Sequence, residues 1–105
     1  MKRTVITCKG NTRDAGFDLR FGRAGWFCIL DEESGNTEFI ENEFKNATGG
    51  AGTKAAEKMI ELKVKKIISG DFGPKAKELL DKFNIQLVII QNENQSVNNI
   101  IKQIV

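Results

Sequence analysis

The chain has 105 residues, 40% hydrophobic and 29% charged, which suits one domain spanning 1–105 with a single fold and leaves no room for two independent cores. Its net charge of +2, with both signs mixed along the chain, gives no strong field toward nucleic acid or an anionic membrane. There is no histidine and there are two cysteines, which sets aside imidazole chemistry and any disulfide framework.

The opening apolar run, within residues 4–6, is too short for a signal peptide, and nothing approaches the length of a membrane span. A cytoplasmic protein is the expectation. Residues 3–9 read as a first strand, β-branched and closed by Gly10. Residues 11–25 carry three glycines among polar groups and form a long loop with a short extended piece near Leu19, Arg20 and Phe21; loops of this length are often functional. Residues 26–31 are a second strand, followed by a Gly35-containing turn and a third strand over 37–44, together a hairpin.

A glycine-rich connector, 45–52, leads to a helix capped by Thr53 and running to about Leu62 or Lys63, with Ala55, Ala56, Met59 and Ile60 on its apolar stripe. Residues 66–69 are a fourth strand. The turn Gly70-Asp71-Phe72-Gly73 follows, and Pro74 opens a helix, where its missing N–H costs nothing. Ala76, Leu79, Leu80 and Phe83 recur at helical spacing, and Asn84 ends the segment. Residues 86–91 form the most apolar strand, read as central and buried on both faces. Ser96 caps a last helix whose stripe is Val97, Ile100, Ile101, Ile104 and Val105. Three strands followed by helix–strand–helix–strand–helix specify an α/β domain with a mixed five-stranded sheet and three helices on its faces, in three layers.

Chemistry is concentrated at glycine turns. Gly49-Gly50-Ala51-Gly52-Thr53 and Gly70-Asp71-Phe72-Gly73-Pro74 each lead into a helix N-terminus, where free N–H groups and the helix dipole favour an anion; the plainer reading is that these glycines only make tight turns. Neither segment carries the Gly-Lys-Ser/Thr of a nucleotide-binding P-loop. Arg13, Arg20 and Arg23 in the long loop either bind an anion through their fork geometry or pair with Asp14, Asp18 or nearby glutamates. Cys28, between Phe27 and Ile29, reads as a small core hydrophobe. Cys8, at the end of the first strand, is placed to reach a soft metal or an iron–sulfur species, although two distant cysteines make no complete cluster motif. Asp14, Asp18, Asp31 and Asp71 are candidates for a magnesium site, but with no histidine base hydrolysis is disfavoured.

Three blocks have a familiar spacing: Phe21-Gly22-Arg23-Ala24 followed by Trp26-Phe27 and Ile29-Leu30-Asp31; Gly50-Ala51-Gly52-Thr53-Lys54-Ala55-Ala56; and Ile68-Ser69-Gly70-Asp71-Phe72-Gly73-Pro74-Lys75-Ala76. In this order they resemble the dinitrogenase iron–molybdenum cofactor biosynthesis family over nearly the whole chain. The resemblance implies a ribonuclease-H-like three-layer fold and a non-enzymatic role, binding or carrying an iron–sulfur or iron–molybdenum type cluster or precursor during metallocluster assembly. The partners expected are the cluster or its assembly proteins, with a cytoplasmic ATPase as a further partner if the fold serves as a docking surface, and, from the balanced charge, neither nucleic acid nor membrane. The site expected on this reading comprises Cys8 as metal ligand, Arg20, Phe21, Gly22 and Arg23 from the loop, and Gly50, Ala51, Gly52, Gly70 and Gly73 from the turns. The family commonly has histidine where this chain has Arg20, and often proline where it has Thr53. Two alternatives stand beside it: a cofactor-free interaction module and a binder of a phosphorylated small molecule.

Overall fold

The structure, a computed structural model, describes residues 2–104. Its elements in chain order are β1 (Arg3–Cys8), β2 (Trp26–Asp31), β3 (Thr37–Glu41), α1 (Ala51–Glu61), β4 (Lys66–Ser69), α2 (Pro74–Lys82), β5 (Gln86–Ile89) and α3 (Val97–Ile104). The five strands form one sheet in the order β3-β2-β1-β4-β5. The pairs β1–β2 and β2–β3 are antiparallel, while β1–β4 and β4–β5 are parallel.

Alternation along the central strands divides the core into two slabs, because successive strand side chains point to opposite faces. Val5, Phe27, Ile29 and Ile67 pack against Ala55, Ala56 and Met59 of α1 and Ala76 and Leu80 of α2. Ile6, Cys8, Cys28, Leu30 and Ile68 face the other way, onto Phe17 and onto Val97, Ile100 and Ile101 of α3. This is the expected three-layer order: α1 and α2, then the sheet, then α3. Val105, counted in the last helix's stripe, lies outside the described residues.

Helix boundaries follow local chemistry. Pro74 is at the first position of α2 and Asn84, at φ 60°, terminates it in the left-handed conformation that asparagine tolerates. The Ser96 hydroxyl accepts from the Asn99 N–H at 3.1 Å, the N-cap bond of α3.

The expected start of α1 is corrected. Gly50, at φ 70°, is its N-cap and its carbonyl accepts from Lys54 N–H at 2.9 Å, which places Thr53 inside the first turn. The last strand is also corrected. β5 is an edge strand rather than a central one, since both parallel crossovers step outward from β1. Leu87 packs on the α1–α2 side and Val88 on the α3 side, whereas Ile89 is 58% exposed. Among the described residues no helix is long and apolar enough to cross a membrane.

Candidate functional site

The long loop after β1 is built as a sixth, broken rung beside the strand ends. Asp18 N–H donates to Thr7 O at 3.0 Å and the Thr7 hydroxyl donates to Asp18 O at 2.6 Å. Gly70 N–H donates to Leu19 O at 3.1 Å, and Phe21 N–H to Asp71 O at 3.3 Å. Phe21, 1% exposed, sinks between Phe27 and Phe72 with ring centroids 6.0 and 5.1 Å away, which anchors the loop on the α1–α2 side.

Beyond Phe21 the loop runs against the start of α1. A Cβ on Gly22 would lie 2.7 Å from both Cα and N of Gly52, so only glycine allows this approach. A Cβ on Gly52 would stand 3.5 Å from the Ala76 methyl, which places the first turns of α1 and α2 side by side. Asn42, buried beneath the loop, donates from Nδ2 to Gly22 O and Ala24 O, both at 3.0 Å, and accepts from Phe44 N–H at 3.0 Å. No sequence motif announces this residue. Its side chain joins segments about twenty positions apart.

A groove of about 520 Å³ opens where these segments meet, lined by residues 20–23, 50–53, 71 and 73–76. Neither α1 nor α2 has a side-chain N-cap bond or an acidic residue in its first turn. The first N–H groups of an α-helix have no partner within the helix, so Ala51, Gly52 and Thr53 of α1 and Lys75 and Ala76 of α2 present donors at the groove. Pro74 has none to present. Arg20, Arg23 and Lys75 add positive charge, against Asp71 alone among the lining acids.

The arginines are held rather than loose. Arg20 pairs side-on with the Asp18 carboxylate, Nε to Oδ1 and Nη2 to Oδ2, each at 3.1 Å, and its backbone N–H reaches Oδ1 at 3.0 Å. Hydrogen bonding to Asp18, with its charge, raises the Arg20 pKa above the ordinary value. Arg23 Nη1 donates to Lys45 O at 2.9 Å and Ala47 O at 2.8 Å, tying the connector before α1 to the loop. The carboxylate-pairing and groove-lining readings of Arg20 thus hold together. A second recess of about 280 Å³, with Lys9 and Lys45 in its wall, shares Arg20 and Arg23 with the groove.

Of the residues singled out from sequence, Arg20, Phe21, Gly22, Arg23, Gly50, Ala51, Gly52 and Gly73 come together in the groove lining; Cys8 and Gly70 do not. Gly70 lies beneath, pressed on Leu19, where a Cβ would come within 2.6 Å of a leucine methyl. Cys8 is fully buried in the α3-side core, its Sγ 3.3 Å from Gly10 O and 3.6 Å from Trp26 O. Burial pushes its thiol up to about 12, and that of Cys28 likewise. Cys8 lines neither recess and packs among Ile6, Phe17, Cys28 and Ile68, so its expected place as a ligand at the basic groove is corrected: its side chain belongs to the core.

The described residues hold no cluster of three or more His, Cys, Asp or Glu able to bind a metal ion, so the aspartates do not assemble a magnesium site. The groove's donor set is N–H groups and cations, without sulfur or imidazole. Such a set fits a cluster anion that brings its own inorganic ligands and is held by hydrogen bonds and charge. It does not fit a cluster ligated directly by the protein.

Known proteins share both sequence and fold. An uncharacterized protein of Methanocaldococcus jannaschii is 36% identical over 70 residues, 64% of this chain and 59% of that protein. The apo form of the orange protein from Desulfovibrio gigas superposes with a TM-score of 0.91 at 28% identity, over 99% of this chain and 87% of that one. A putative NifB protein from Thermotoga, described as a member of the DUF35 family, gives 0.83 at 29% identity over the same shares. A family model described as dinitrogenase iron-molybdenum cofactor matches residues 2–105, and the three sequence blocks that suggested this family are those that build the groove and the floor beneath it. The chain therefore belongs to the dinitrogenase iron–molybdenum cofactor family.

Proposed function

We propose that this protein carries an anionic iron–sulfur or iron–molybdenum type cluster, or a precursor of one, as cargo in the groove between the first turns of α1 and α2. The observation that carries this reading is the convergence of two helix N-termini, uncapped by side chains and without acids, with Arg20 and Arg23 in one concavity. Anions are favoured at such termini by the unpaired N–H groups and the dipole together, and guanidinium donors strengthen each bond. Family membership and the likeness to the orange protein support a cofactor-associated role.

The protein acts as a single-domain cytoplasmic carrier, not an enzyme. Its partners are the proteins that assemble or receive the cluster, including a cytoplasmic ATPase, and neither nucleic acid nor membrane. The three-layer arrangement around a mixed sheet supports the ribonuclease-H-like designation.

The test is purification without oxygen followed by metal analysis, and reconstitution with iron and sulfide read by visible absorption. A chromophore retained through desalting and lost at high salt is the expected result, since outer-sphere binding by charge is screened. It should survive in Cys8→Ala. No retained metal or chromophore refutes the proposal. The same hard donors and absence of soft ligands favour a second reading, a phosphorylated small molecule; a thermal-shift screen against phosphate compounds, positive where metal analysis is negative, would replace the cluster with that ligand. Substoichiometric metal with a reproducible protein partner would instead favour the docking module.

A further inference from the structure

We infer that Asp18 is the positioning residue of the groove: its buried carboxylate fixes the Arg20 guanidinium in the groove wall, so that an incoming anion meets a donor fork already oriented. This rests on the anion-binding reading above. Asp18 is 2% exposed, and its backbone is pinned to Thr7 in both directions. Both carboxylate oxygens are engaged by Arg20, which is also Asp18's only side-chain partner among the described residues.

The Arg20 side chain is 65% exposed. A long cation at that exposure ordinarily samples many rotamers and must be ordered when it binds. The pair with Asp18 removes that freedom beforehand, the general route by which a preorganised site gains affinity. Pairing through Nε and Nη2 turns that edge of the guanidinium inward, and Nη1 has no partner among the described residues. Arg20 cannot coordinate, so its contribution is geometric and electrostatic, and the geometry is set by Asp18.

Charge and positioning predict opposite signs, which makes the idea decidable. Asp18 is an anion beside an anion site, so removing its charge in Asp18→Asn would tighten binding if electrostatics alone governed. If Asp18 positions Arg20, the same isosteric change weakens binding by roughly tenfold, the scale of one charge-assisted hydrogen bond. The probe is inorganic molybdate, titrated by calorimetry at fixed ionic strength into wild type, Asp18→Asn and Arg20→Lys. The Arg20 Nε–H signal is followed by NMR in wild type and Asp18→Asn. The expected results are a slowly exchanging Nε–H in wild type that is lost in Asp18→Asn, and weaker binding in both variants. Arg20→Lys keeps the charge but not the fork, so it carries the test even where Asp18→Asn fails to fold. Unchanged or tighter binding in Asp18→Asn, or unchanged binding in Arg20→Lys, overturns the proposal. Wild type that binds no molybdate overturns it as well, while the carrier reading is decided separately by the iron–sulfide chromophore.

Discussion

Gly22 occupies a point where two backbones touch, and its missing Cβ is what lets the loop close on α1. Gly22→Ala would drive a methyl to 2.7 Å from the Gly52 backbone, which cannot swing aside as a side chain could. Overpacking of this kind costs about 1–3 kcal/mol, and urea denaturation should show it as a lowered midpoint. Gly49→Ala meets open space and should change stability by less than about 0.5 kcal/mol, the ordinary scale of a surface substitution. The buried thiols give a pH prediction. Cys8 and Cys28 rise from an ordinary 9.0 to about 12 because burial disfavours the thiolate. A raised folded-state pKa contributes stability that is complete below the unfolded value and is lost as pH climbs through the folded one. The protein should therefore lose stability between pH 9 and about 12 in the wild type, and lose less in Cys8→Ala, as measured by chemical denaturation across that range. The sequence showed Gly22 and the arginines as parts of a compact motif. It misplaced Cys8, because the end of a strand beside a glycine loop looks accessible until Phe17 folds over that face of the sheet.

The elements that frame the groove were largely legible: the bounds of β2 and β4 match the expected strands, and Pro74, Asn84 and Ser96 mark helix ends by their own chemistry. Two features were not, for physical reasons. Thr53 has the side chain of a cap, but the left-handed Gly50 allows the helix to begin earlier, so the terminus that faces the groove is unobstructed by a hydroxyl cap. The run Leu87-Val88-Ile89-Ile90 has the composition of a strand covered on both faces; hydrophobicity reports cover from above and below, not whether a neighbour lies alongside. The turn between β3 and α1 depends on Asn42, whose two Nδ2 bonds fix it to the loop carrying Arg23 while its Oδ1 accepts from Phe44 N–H within the turn. Asn42→Ala would leave buried carbonyl and N–H groups unpaired, a loss on the order of 3 kcal/mol. Thermal unfolding should register that loss, and molybdate binding should weaken with it, because the acceptors that hold Arg23 belong to this turn.

Across the sheet, the groove sits at the end of β4 where the chain leaves for α2, with the loop after β1 folded over the same edge. Ligands of open α/β sheets gather outside strand C-termini, where helix N-termini converge. The order of blocks along the chain carried that much, because each glycine turn precedes a helix and both crossovers reach one edge. What it did not carry was the sorting of loop side chains between groove and core, which depends on contacts such as Thr7 with Asp18 that span the two. The central position of β1 has one more consequence, for the order of events during synthesis. β1 leaves the ribosome before the other strands and finds β2 soon after, through an antiparallel register from Arg3–Asp31 to Cys8–Trp26. Its other flank must wait for β4, which pairs Thr4 with Lys66. Until then a nascent chain displays the middle of its own sheet as an open edge, the feature that invites association between chains. Such non-local parallel pairing also slows folding. Since the groove includes the start of α2, which follows β4, its walls are complete only once that edge has closed.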